Sequence, residues 1–82
     1  MIGAMASHPD YVQVGSTVVV SAADGEVQTY VIVQPADAAP REGKVSSGSP
    51  VGRALLGRRV GDRVVIPAPG GSFSVQIDAV ET

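Results

Sequence analysis

The sequence predicts an α+β domain in which a curved antiparallel sheet of about five strands wraps one short helix. Three observations predict it. Valine-rich segments of strand length recur along the 82 residues, several with period-2 alternation. Asp24-Gly25 and Pro69-Gly70-Gly71 separate neighbouring segments with turn residues. Only one segment, Ser49 to Gly57, combines a cap with helical spacing. The composition agrees: the apolar residues are mostly Val and Ala, with ten Gly, six Pro, one Phe and no Trp, which suits short strands and tight turns better than a helical bundle.

Residues 1–10 show no periodicity and read as a flexible leader; residues 11–82 read as the domain. Tyr11 to Ala22 forms the first strand segment, with Val18 and Val20 on one face and Thr17, Val19 and Ser21 on the other. Asp24-Gly25 suits a two-residue type I′ turn, and Glu26 to Val33 returns as the second strand. Gln34 to Pro40 contains two prolines, which cannot donate to a ladder, so it reads as a loop with room to move. Lys44-Val45-Ser46 has the length of a small strand.

Ser49 is a preferred N-cap and Pro50 suits the first helical position. Val51, Ala54 and Leu55 share one helix face, Leu56 widens it, and Gly57 is placed as a left-handed C′ residue. Arg58 and Arg59 follow at the negative end of the helix dipole. A helix this short needs a sheet to hold it. Gly61-Asp62 then turns into the strand Arg63 to Ile66. After Pro69-Gly70-Gly71, the apolar residues Phe73, Val75, Ile77 and Ala79 alternate inward in the last strand.

Composition also excludes several functions. No cysteine means no disulfide framework and no thiolate metal site, which fits a reducing cytosol. A net charge of −2 gives no electrostatic case for binding nucleic acid or an anionic membrane. No apolar run approaches the roughly 18 residues of a spanning helix, and the first residues lack the basic n-region of a signal peptide. No metal-ligand spacing or phosphate-cradling glycine motif appears, so no cofactor is expected. The serines lack a base and an orienting group nearby in sequence, and His8 lies in the leader, so no enzyme activity is expected.

The ordered motifs Gly15-Ser16-Thr17-Val18, Thr29-Tyr30-Val31-Ile32-Val33, Glu42-Gly43-Lys44, Ser49-Pro50, Ala54-Leu55-Leu56-Gly57, Gly61-Asp62 and Ala68-Pro69-Gly70-Gly71 resemble the carboxy-terminal domain of the bacterial transcript-cleavage factors GreA and GreB. The resemblance covers about residues 13 to 81. It implies the FKBP-like fold, in agreement with the strand order read above. In that family an amino-terminal coiled coil enters the RNA polymerase secondary channel, and acidic residues at its tip help hold the metal for RNA cleavage. This sequence has no heptad pattern, so cleavage chemistry does not transfer. It leaves open a naturally short protein or the detached domain of a longer one.

What the resemblance does imply is docking of the carboxy-terminal domain on the channel rim, against a coiled coil of the largest catalytic subunit. The family's docking loop includes a Ser-Pro that matches Ser49 and Pro50. The preceding position is commonly Asp or Asn, whereas Gly48 stands here and removes a polar contact. Gly48, Ser49, Pro50 and Arg53 are therefore the expected partner-binding residues of a cytoplasmic, noncatalytic, polymerase-binding domain. Each also has a plainer reading. Ser49-Pro50 is a helix cap, and cap and contact can coexist. All six basic residues fall between Arg41 and Arg63, either as a solvated rim or as a face for an acidic partner. A second class of function is an isomerase-like or other interaction module acting elsewhere than on the polymerase. Binding proline calls for an aromatic-dressed pocket, and only Tyr11, Tyr30 and Phe73 are available, with Phe73 expected in the core.

Overall fold

Five strands and one helix form in the expected order: β1 (Thr17–Ala22), β2 (Val27–Val33), β3 (Lys44–Ser46), α1 (Pro50–Leu55), β4 (Arg63–Ile66) and β5 (Phe73–Glu81). The computed structural model describes residues 11–81; the leader up to Asp10, with His8, lies outside the described residues. The strands make one curled sheet in the order β3-β2-β1-β5-β4, with β1 at its centre. The helix packs against both β3 and β4, the two edges, and so closes the open side of the half-barrel. Its Leu55 is fully buried among Val18, Ile32, Val64, Ile66 and Ile77, with Val51, Ala54 and Leu56 packed around them. Burying one leucine contributes about 1.5–3 kcal/mol, which is a large share for a domain this small.

Several expectations are corrected in detail. The sheet is not wholly antiparallel, because β3 runs parallel to β2, with Ile32 opposite Val45. Residues 34–43 are long enough to carry the chain back before β3 begins, which a hairpin loop is not. That connection is an ordered one. It holds two 3₁₀ turns, Pro35–Asp37 and Pro40–Glu42, and is clamped to β3 by reciprocal Ala39–Lys44 backbone hydrogen bonds. The β1–β2 hairpin stands, but its turn is not the two-residue type I′. The Ala22 carbonyl accepts from Gly25 N–H, and Ala22 N–H donates to the Glu26 carbonyl. Gly25 takes positive φ (90°), the longer hairpin turn closed by a glycine bulge. The Asp24 carboxylate stabilises it by accepting from Glu26 N–H at 3.0 Å.

The first strand begins at Thr17 rather than Tyr11. Tyr11 and Val12 instead strap the helix exit, where Val12 N–H donates to the Arg58 carbonyl and Gly57 N–H donates to the Val12 carbonyl, while Gly15 and Ser16 exchange backbone hydrogen bonds with Ile32. Gly57 has the expected positive φ (82°), but Leu56 before it is extended (φ −58°, ψ 134°). The helix therefore ends in a type II turn, closed by Arg58 N–H on the Leu55 carbonyl at 3.1 Å.

In β5 the alternation breaks. Val20 pairs with Ile77 and Val19 with Ala79, so Asp78 is an extra residue opposite β1. This bulge hands the inward position from Ala79 to Val80, which packs on the core. It also adds local twist, which a sheet curled around so short a helix needs. Phe73 lies on the inward face but is 39% exposed, because it sits at the strand end beyond the reach of the helix.

Tyr30 marks the border between covered and open parts of that face. It is half-buried, and its hydroxyl donates to Gln28 Oε1. Burial raises its phenol above the ordinary 10.0. The folded state thus holds this proton more tightly than the unfolded chain. The contribution is complete below pH about 10 and is lost as pH rises through the folded value. The urea midpoint is expected to fall along an alkaline limb that flattens in Tyr30→Phe, a variant costing only about 0.5 kcal/mol at neutral pH. An equally steep limb in that variant would acquit Tyr30.

Candidate functional site

The four residues singled out in sequence gather at the start of α1, and one carbonyl organises them. Ser46 O accepts from Ser49 N–H at 3.0 Å and from Ser49 Oγ at 2.7 Å. Ser46 Oγ accepts from Gly48 N–H at 3.0 Å. Ser49 Oγ in turn accepts from Gly52 N–H at 3.1 Å, the expected N-cap bond. The hydroxyl of Ser49 is thereby engaged on both sides within the loop. Gly48 and Pro50 on either side of it are exposed. Arg53, one turn after Pro50 on the same helix face, is also exposed and makes no ion pair among the described residues. The result is a rigid knuckle with a free cation beside it.

Sequence reading missed the residue that seats this knuckle. Gly52 is buried in mid-helix, where glycine costs about 1 kcal/mol relative to alanine. A Cβ at Gly52 would lie 2.0 Å from Ser46 O and 3.2 Å from the Ser47 Cα, both backbone atoms. The helix therefore rests directly on the β3 exit. A glycine inside an otherwise sound helix was the available signal.

The rest of the basic belt is partly used internally. Arg58 Nε donates to the Ala54 carbonyl at 3.3 Å, which completes the helix end as its position suggested. Arg59 N–H donates to Asp62 Oδ2 at 2.8 Å, so Asp62 holds the turn into β4. Lys44 pairs with Glu42 at 3.4 Å, an exposed pair worth little. The three aromatic residues do not assemble into a proline pocket. Tyr11 bridges to Arg59, Tyr30 is tied to Gln28, and Phe73 alone lines an open cleft. Among the described residues no three acidic or histidine side chains gather as a metal site, and no helix is long and apolar enough to cross a membrane.

A family model described as transcription elongation factor, GreA/GreB, C-term, matches residues 6–82. The chain belongs to the GreA/GreB family. It is 49% identical over 75 residues to the transcription elongation factor GreA of Geobacillus kaustophilus, across 90% of this chain and 48% of that protein. Similarity to GreA of Thermomicrobium roseum is also 49%, over 70 residues, 85% of this chain and 44% of that protein. Among solved structures, Gfh1 of Thermus thermophilus superposes with a TM-score of 0.81 at 33% identity, covering 88% of this chain and 49% of that one. A GreA/GreB factor from Nitrosomonas europaea superposes with a TM-score of 0.77 at 35% identity, covering 90% and 63%. The chain spans about half the length of the curated relatives it matches. The curled five-strand sheet around one helix is thus the carboxy-terminal domain fold of this elongation-factor family.

Two substitutions test the knuckle's construction. Gly52→Ala is expected to destabilise the domain by about 3 kcal/mol, the upper end for overpacking, because backbone rather than a side chain must move. Ser49→Ala is expected to cost about 1 kcal/mol as a lost cap, and Ser49→Thr to restore most of it. Denaturant midpoints measure both, and a Gly52→Ala loss below that of Ser49→Ala would mean that the close approach does not seat the helix.

Proposed function

We propose that this domain is a noncatalytic docking module that binds bacterial RNA polymerase in the cytoplasm, at the rim of the secondary channel, through Gly48, Ser49, Pro50 and Arg53. The partner surface is a coiled coil of the largest catalytic subunit. The reading is supported by membership of an elongation-factor family together with one geometric observation. The Ser-Pro knuckle is held by four hydrogen bonds yet leaves Gly48, Pro50 and Arg53 facing solvent. A loop ordered before it binds loses little entropy on docking. Arg53 supplies a positive charge for an acidic partner, which makes association sensitive to salt. The cleavage chemistry of the full-length factors is assigned to an acid-tipped coiled coil, and α1, six residues long, is the one α-helix among the described residues. Docking without insertion makes the domain a competitor of other channel-binding factors and not a rescuer of backtracked complexes.

Gly48 is the informative position. A Cβ there would meet only Ser46 Oγ at 3.7 Å, an ordinary contact, and no positive φ forbids a side chain. Interferometry on immobilised bacterial RNA polymerase is expected to show saturable binding that full-length GreA displaces. Arg53→Glu should weaken it about fivefold at low salt with an unchanged melting temperature. Gly48→Asn should tighten it by restoring the polar contact of the Asp or Asn common in the family without adding a negative charge toward an acidic partner. Binding that full-length GreA fails to displace, or that ignores Arg53→Glu, would refute rim docking by this loop.

A further inference from the structure

The end of the half-barrel that α1 does not reach holds an open cleft of about 330 Å³. Val20 and Ala22 of β1 with Val75 of β5 make its floor, exposed Phe73 forms one wall, Gln28 of β2, paired with Val20, the other, and Asp24 and Glu26 stand at its mouth. It is separate from the Ser49 knuckle. Ser47 N–H bonds the Val33 carbonyl at one end of β2, whereas the cleft lies at the Val27 end. Six residue steps along a strand place the two about 20 Å apart.

We propose that this cleft is a second docking site, for an extended protein segment carrying a bulky apolar side chain next to lysine or arginine. Shape argues for an extended chain. The walls rise from β2 and β5, which flank β1 on either side, so they stand about 10 Å apart before their side chains narrow the trough. An α-helix with its side chains is about 10–12 Å across and does not enter. The floor offers only apolar side chains, and an aromatic ring at 39% exposure stays open at its edge. The volume lies at the bottom of the range for small-molecule pockets, about 300–1,000 Å³, and suits one or two side chains.

Charge argues for the basic neighbour. Two carboxylates lie at the mouth, and no cation of the described residues pairs with either. None of the six basic residues, all between Arg41 and Arg63, lines the cleft. Asp24 is held in place by its bond from Glu26 N–H, so the mouth is set by the hairpin turn itself. An incoming lysine or arginine gains two carboxylates without displacing an internal partner.

Phe73 is the one phenylalanine of the chain, so 4-fluorophenylalanine labelling gives a single fluorine resonance inside the cleft. The probe is the acetylated peptide Gly-Lys-Leu-Lys-Gly, with Gly-Glu-Leu-Glu-Gly and Gly-Lys-Ser-Lys-Gly as controls. The lysine-leucine peptide is expected to shift the resonance saturably, while both controls leave it in place. Glu26→Gln and Asp24→Asn should each weaken binding roughly two- to fivefold, the scale of an exposed charge pair. Both variants keep the turn, since Asn retains the acceptor oxygen and Glu26 is exposed. Amide shifts should map to residues 22–28 and 73–75 rather than 48–53, which keeps this result independent of polymerase docking. No shift at millimolar peptide, an equal shift with the acidic control, or indifference to both variants would overturn the proposal. So would a fluorine shift that follows protein concentration without peptide, which would assign the cleft to a second copy of the chain.

Discussion

The contact on which most of the structure depends is the seating of α1 against the carbonyl of Ser46. A six-residue helix has no stability of its own in water, so its position must come entirely from what it touches. Here it touches backbone. Gly52 lets the helix approach until a Cβ would overlap Ser46 O at 2.0 Å. That distance brings Leu55 to full burial and spans the gap between the edges β3 and β4. The same carbonyl accepts two hydrogen bonds from Ser49. Closure of the half-barrel and presentation of the loop are therefore consequences of one close approach.

That economy leaves one end of the sheet uncovered. The helix α1 stops after Leu55, and the type II turn at Gly57 directs the chain to Val12 and not over Phe73. The strap formed by Val12 then covers the helix exit, and Val12 is itself 1% exposed. The two ends of the domain differ in chemistry as a result. Around α1 the surface is basic and polar, with its loop braced internally. At the hairpin tip it has an apolar floor, the Gln28 amide on one wall and carboxylates at the lip. One charged knuckle and one acid-rimmed trough give the domain two chemically unlike faces on a single small scaffold.

Local signals were legible and long-range ones were not. Ser49-Pro50 announced the cap, Asp24-Gly25 a hairpin, and the period-2 pattern of Val18 and Val20 the buried face of β1. These depend on neighbours within four residues. The parallel course of β3 depends on where the connection 34–43 returns, which no residue in Lys44-Val45-Ser46 encodes. The bulge at Asp78 depends on the register against β1, so Phe73, Val75, Ile77 and Ala79 looked like an unbroken stripe although Val80 takes the last inward position. The turn at Gly25 was misread for a related reason. Asp-Gly suits both hairpin types, and strand twist and pairing at Ala22–Glu26 decide between them. For the knuckle, the family motif brought out Ser49 and Pro50, while Gly52 stayed silent because its reason lies across the sheet in Ser46.

The bracing of the knuckle also determines how its chemistry can be separated from its stability. Ser49 serves the fold with both its donor and its acceptor, so deleting its hydroxyl changes the helix before it changes any surface. Gly48, Pro50 and Arg53 have the opposite character, because their outward atoms take no part in holding the loop. Since folding has already ordered the backbone, a group added at Gly48 or reversed at Arg53 acts through contact and long-range charge with little change in ordering entropy. If the proposed docking holds, affinity differences at these positions report on the partner's surface and not on the fold. On the proposed docking role, the link between fold and recognition runs through Ser46 and Gly52, and the contacts fall to the outward atoms of Gly48, Pro50 and Arg53, whose backbone the loop and helix already hold.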